Sequence, residues 1–185
     1  MRGGRETGGW WIARGLPEGR IDERDWEYLR QVSETTHAHS AAPALEIGAF
    51  LGLSTLALLA GGGQVETVDD FSGSGVGGWP RADRDLFAEF AANVDHRASE
   101  RLIVRRGRSE DVLPKLVPPY RMAFVDGSHQ RATVRNDLHH ALRLTDNGTV
   151  LVDDLHFEGV RAAVDDLALT VASRRDTRIV SVYRM

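Results

Sequence analysis

Six short apolar runs, at residues 44–47, 64–69, 101–105, 122–125, 149–152 and 178–183, are separated by stretches of helical periodicity. This alternation constrains the fold most, because strands that alternate with helices build a parallel sheet covered by helices. The segment 54–60 is apolar on nearly all sides and ends in Gly61-Gly62-Gly63, which predicts a helix sandwiched between the sheet and its neighbours. Leu86, Phe87 and Phe90 mark a second helix; Val134, Leu138 and Leu142 mark a third that stops at Asn147-Gly148; Val160, Val164 and Leu167 mark a fourth. The expected fold class is α/β, a single Rossmann-like, doubly wound, mostly parallel sheet.

Upstream of the first strand, Asp22 is an acidic N-cap with Asp25 three residues on. It opens a helix that turns Trp26, Leu29 and Val32 inward, after which His37, His39 and Pro43 read as a loop. Residues 1–20 are rich in Gly and Arg and predict a flexible arm pinned by Trp10 and Trp11, leaving 21–185 as one domain. A chain of 185 residues buries about 70% of its unfolded surface in a single core without metal or disulfide staples.

Composition excludes several classes. With 23 basic and 27 acidic residues the net charge is −4, which argues against a nucleic-acid partner, and cysteine is absent, so thiolate metal sites and cysteine nucleophiles are out. No export signal or apolar run of about 20 residues is present, so a cytoplasmic protein with no membrane partner is expected. A homodimer is compatible with this composition, but no surface stripe specifies one.

In such a sheet the ligand crevice lies outside the carboxyl ends of the strands. The first strand runs into ALEIGAFLGLST, where Glu46, Gly48 and Gly52 form an acidic-x-Gly-x-x-x-Gly turn before a helix. The second ends at Asp69, where a carboxylate can accept from both hydroxyls of a ribose. Together these suggest an adenosine-containing ligand. A dinucleotide is disfavoured, because Phe50 stands where a glycine must let the backbone approach a pyrophosphate. The Gly-x-Gly-x-x-Gly at Gly73, Gly75 and Gly78 runs into Trp79-Pro80 without opening a helix, and reads as a loop over the site.

LEIGAFLGLSTL, VETVDDF, RGRSEDVLPKL, FVDGSH and NGTVLVDDL, in this order and at these spacings, resemble the class I S-adenosylmethionine-dependent methyltransferases. Within them they are similar to the small-molecule O-methyltransferase group that includes the catechol, macrocin and cephalosporin-tailoring types. The likeness spans about residues 44–167. It implies a seven-stranded sheet of order 3-2-1-4-5-7-6 with S-adenosylmethionine at the ends of strands 1 to 4. By motif, Glu46, Gly48, Gly52 and Ser54 would line the methionine side, Asp69 the ribose, Gly107 and Ser109 the adenine side, with Asp126 at the end of the fourth strand. For Glu46 and Ser109 the plainer alternative is a turn or cap residue.

Asp126 ends the fourth strand and Asp153 with Asp154 ends the fifth. Paired strands lie about 4.8 Å apart, so these carboxylates converge, and either one takes a proton or a cation sits among them. Hard oxygen donors suit a divalent ion, Mg²⁺ first. In the resembling enzymes such an ion binds the acceptor hydroxyl, and the matching positions are Asp126, Asp153 and Asp154. The alternative is that Asp153 or Asp154 caps the loop. His129 and His156 stand at the same rim, and either is a candidate general base beside Asp126, a capping role being the alternative for His129.

The expected activity is methyl transfer to a hydroxyl of a small molecule: a sugar, phenol or natural-product intermediate. After the fifth strand only one helix and one clear strand are legible, where the resembling family has a hairpin of two strands. A shortened hairpin motivates a second reading, a non-catalytic binding or assembly protein on the same fold. A nucleotide-linked oxidoreductase is a third, which Phe50 disfavours.

Overall fold

The computed structural model describes residues 10–73, 84–98, 100–146, 148–173 and 177–184, with the side chains of 95–98 left aside. Gly75, Gly78 and Trp79 of the glycine-rich segment lie outside the described residues. In chain order the elements are α1 (Trp10–Ala13), α2 (Glu23–His39), β1 (Ala44–Ile47), α3 (Leu53–Ala60), β2 (Val65–Asp69), α4 (Leu86–Ala98) and β3 (Leu102–Arg106). They continue with α5 (Ser109–Val112), a 3₁₀ turn (Leu113–Lys115), β4 (Met122–Val125), α6 (Arg131–Leu144), β5 (Thr149–Val152), α7 (Glu158–Asp166), β6 (Thr170–Ser173) and β7 (Val180–Tyr183).

The seven strands form one sheet of order β3-β2-β1-β4-β5-β7-β6. β1 to β5 are parallel, and β7 runs antiparallel to both β5 and β6. The hairpin expected to be shortened is therefore complete. β6 escapes sequence reading because its residues lie at the sheet edge, three of the four exposed, and have no apolar alternation to show. The observation that motivated a non-catalytic protein is thereby removed.

The central strands β1 and β4 are buried at every position, as strands covered on both faces must be. One core, with Phe90 and Phe124, lies on the α2–α3–α4 face; a second, with Leu138 and Val164, lies on the α6–α7 face. Each such fully buried side chain contributes roughly 1.5–3 kcal/mol. α3 lies between sheet and α2, with seven of its eight residues buried. Ser33 on α2 donates to the Leu58 carbonyl at 2.7 Å, and a side chain at Gly61 would strike Ser33 Cβ at 2.5 Å.

Asp22 caps α2 through the amides of Arg24 and Asp25. The helix then runs on through His37 and His39, which the sequence placed in a loop. Trp10 packs edge-on against Trp11 and Trp26 at 6.2 and 6.3 Å between ring centroids. Among the described residues no helix is long and apolar enough to cross a membrane.

Candidate active site

The chain steps from β1 outward to β2 and β3, then returns to place β4 on the other side of β1. This switch point between β1 and β4 is where an open α/β sheet leaves a crevice. A cavity of about 590 Å³ opens there, lined by residues that follow β1 to β5 and by residues 19–21 and 178. Its volume is that of a small-molecule site.

The loop after β1 is fixed by backbone geometry. Gly48 has φ +93°, and a Cβ on it would strike the Asp126 carbonyl oxygen and meet Gly127 Cα at 2.6 Å. Glycine is thus required twice over, for its left-handed backbone and for the close approach of the β4 loop. Asp69 locks the same loop. Its Oδ2 accepts from the Ala49 and Phe50 amides at 2.7 and 2.9 Å, and its Oδ1 accepts from Phe71 N at 2.6 Å. Phe50 and Phe71 both have positive φ, 49° and 55°, so this carboxylate holds two strained turns.

Several expected ligand contacts fall in different places. Gly48, Ser54, Asp69, Gly107, Ser109 and Asp126 line the cavity; Glu46 and Gly52 do not. Glu46 is fully buried and accepts from Thr55 Oγ1 at 2.6 Å, because the pleat points it toward α3 and away from the crevice. Burial pushes its carboxyl up to about 7. Gly52 is the left-handed N-cap of α3, where a Cβ would meet Val94 at 2.8 Å. Asp69 has both oxygens engaged by the backbone, while Asp70 beside it also lines the cavity.

The opposite rim carries the acids and imidazoles. Burial, and then repulsion from Asp153 and Asp154, lifts the Asp126 carboxyl well above its ordinary value. Burial, with Asp154 adding, lifts Asp153 to about 7. Asp154 has φ +60° and stands between two histidines: its Oδ2 is 2.7 Å from His129 Nε2, and its Oδ1 3.6 Å from His156 Nδ1. His129 stacks on Phe157 with ring centroids 4.0 Å apart and planes at 11°. Among the described residues no three carboxylates or imidazoles stand close enough together to hold a metal ion as they lie.

Two site residues were missed. Arg178 lines the cavity, with its guanidinium 4.0 Å from Asp153 Oδ2 and its Nε and backbone N bonded to the buried Asp25. Asp137 on α6 also lines the cavity and is 1% exposed. Its signal was available: an acid falls inside the stripe Val134, Leu138, Ala141, where the helix needs apolar residues.

The model of a family described as a methyltransferase domain matches residues 45–155, well over half of the chain. The chain belongs to this methyltransferase domain family. Solved structures similar to the methyltransferase domain carry the same fold. An O-methyltransferase from Bacillus cereus in complex with SAH is 19% identical with a TM-score of 0.64, over 94% of this chain and 86% of that one. The O-methyltransferase TomG from Streptomyces achromogenes, involved in tomaymycin synthesis and in complex with SAM, is 19% identical with a TM-score of 0.65, over 97% and 88%. The SAH-bound methyltransferase PaMTH1 from Podospora anserina is 18% identical with a TM-score of 0.59, over 94% and 92%. No curated protein matches the sequence.

Proposed function

We propose that this methyltransferase domain transfers the methyl group of S-adenosylmethionine to a hydroxyl of a small molecule. One observation carries the reading. A single cavity joins the glycine-formed turn at Gly48 to a rim on which His129 and Asp154 form a 2.7 Å pair. SAM or SAH in the neighbouring structures of the same fold supports the choice of donor.

The donor, when bound, supplies an electrophilic sulfonium methyl. The work of the protein is to orient it and remove the acceptor's proton. The 2.7 Å hydrogen bond between His129 Nε2 and Asp154 Oδ2 assigns the proton to Nε2, which leaves Nδ1 as the base. As the new C–O bond forms and the S–C bond breaks, the hydroxyl proton passes to Nδ1, and Asp154 stabilises the resulting imidazolium. Stacking on Phe157 holds the ring in plane throughout. A neutral imidazole is a competent base near neutral pH.

A divalent cation assisting the same reaction is a second reading, favoured by the burial of Asp126 and Asp153 and, after it, the like-charge repulsion from neighbouring acids, which together raise both carboxyls. Asp126, Asp153 and Asp154 are hard oxygen donors of the kind Mg²⁺ takes. Such an ion would supply Lewis acidity toward the acceptor oxygen. It would compete with His129 for Asp154, so the two readings separate experimentally.

The test is mass-spectrometric detection of methylated product from a panel of phenols, sugars and hydroxylated intermediates incubated with S-adenosylmethionine, with and without EDTA. Product in both arms supports the His129 route, and product lost with EDTA and restored by Mg²⁺ supports the cation. Binding of the donor with no product across the panel would argue against the reading.

A further inference from the structure

Arg178 stands on the cavity wall and has no part in the proposed chemistry. It reaches the rim because β7 runs antiparallel to β5 and so begins where β5 ends, with Val180 beside Val152. Two of its three guanidinium nitrogens are pinned. Nε and the backbone N donate to the fully buried Asp25 at 3.1 and 2.8 Å, and Nη2 donates to the Arg20 carbonyl at 2.7 Å. Among the described residues Nη1 has no hydrogen-bond partner, and the side chain is 42% exposed. A guanidinium stays charged and holds its donors in one rigid plane. With that plane already set by Asp25 and Arg20, Nη1 is a preorganised donor, and the cost of ordering it falls on folding instead of on binding.

What Nη1 meets follows from strand order. Gly48 follows β1, His129 follows β4, and Arg178 precedes β7, three strand spacings from β1 or roughly 14 Å across the sheet. The turn at Gly48 and Arg178 therefore lie on opposite sides of His129. The molecule that gives its proton to His129 is the one within reach of Arg178. Its hydroxyl serves the imidazole, whereas Nη1 offers only hydrogens and needs an oxygen that accepts. Carbonyl and carboxylate oxygens are the strongest such acceptors on a small molecule. Asp25 at 3.1 Å and Asp153 at 4.0 Å already balance the guanidinium, so a neutral carbonyl meets the same need as a carboxylate.

We infer that Arg178 Nη1 binds an sp² oxygen, carbonyl or carboxylate, of the methyl acceptor and selects hydroxyl compounds that carry one. This inference rests on the proposed methyl transfer with His129 as base and names the acceptor's second group. Arg178 acts in binding and stays protonated throughout.

The test is calorimetric titration of the full chain, saturated with S-adenosylhomocysteine, with meta-hydroxybenzoate, meta-hydroxyacetophenone and meta-ethylphenol. These join one phenolic hydroxyl to a carboxylate, a carbonyl and neither. Wild type is expected to hold at least one oxygen-bearing compound about tenfold or more tightly than ethylphenol. A gain confined to the benzoate supports the inference with a carboxylate as the group, and a gain shared by the ketone supports it with a carbonyl. Arg178→Lys keeps a cation beside Asp25 and withdraws the Nη1 donor, and is expected to bring the three affinities within about threefold of one another. Equal affinities in wild type, or no binding of any of the three by the loaded chain, overturn the inference while leaving the donor reading intact. So does an Arg178→Lys variant that weakens all three alike, as a merely structural role would. Failure of wild type to bind S-adenosylhomocysteine at all overturns the donor reading and this inference with it.

Discussion

Asp154 Oδ2 stands 2.7 Å from His129 Nε2, across the mouth of the cavity. The relationship is built from strain and close packing. Asp154 adopts φ +60°, a conformation that few side chains tolerate, and so turns its carboxylate back toward the β4 loop. Gly159, at the start of α7, lies so near the His129 carbonyl oxygen that any Cβ would strike it. With Phe157 stacked on the imidazole, the pair is held from both sides.

If His129 is the base, His129→Ala should lower kcat by about 10²–10⁴-fold while leaving S-adenosylhomocysteine affinity within about threefold of wild type. Asp154→Asn should give part of the same loss by removing the carboxylate that orients the ring. Stopped assays with saturating donor, alongside calorimetry, check both. An unchanged kcat in His129→Ala would remove the imidazole from the mechanism.

Gly48→Ala places a methyl group on the Asp126 carbonyl oxygen and Gly127 Cα, at φ +93°. Left-handed backbone and overpacking together should cost about 2–4 kcal/mol of stability. The β1 and β4 loops should be forced apart and donor binding abolished. Urea denaturation and calorimetry measure the two effects, and Ala49→Gly, on the same loop, should produce neither.

Glu46 contributes a pH dependence of definite sign. Its carboxyl is lifted from 4.5 to about 7 by burial. Between those values the folded chain holds a proton that the unfolded chain has lost, so stability falls as pH rises through the window. The shift corresponds to about 3 kcal/mol once both limits are passed. Glu46→Gln, which cannot ionise, should therefore gain on wild type as pH rises from about 4.5 to about 8, and match it more closely at the acid end. Urea midpoints across that range test this. Parallel curves would show that Glu46 is not the buried acid described.

Arg178 ties the start of β7 to α2 through the fully buried Asp25, and its guanidinium also donates to the Arg20 carbonyl at 2.7 Å. Arg178→Ala strands a buried carboxylate and should cost about 3 kcal/mol. Arg131→Ala breaks an exposed pair with Asp166 and should move the urea midpoint far less. Equal effects would contradict the burial-based account.

What the sequence revealed follows from what each signal encodes. β1, β4 and β5 were legible to the residue because strands buried on both faces read as mostly apolar runs, broken here only by Glu46 and by Thr149. β6 was not, since TVAS at a sheet edge carries no hydrophobic pattern. The placement of Gly48, Asp126, Asp153 and Asp154 at one crevice follows from strand ends, which the alternation locates. Side-chain direction does not follow from it. Glu46 turns under α3 and Asp69 is engaged by three backbone amides, outcomes set by pleat and loop closure. Asp25 and Arg178, 153 residues apart, meet only through the tertiary fold.

The most direct test of the central claim is calorimetric titration of the wild-type chain with S-adenosylhomocysteine near neutral pH. The account predicts one site per chain, with affinity in the roughly 1 μM–1 mM range in which enzymes hold small substrates, abolished by Gly48→Ala. No heat of binding from folded wild-type protein, or binding that survives Gly48→Ala undiminished, would contradict it.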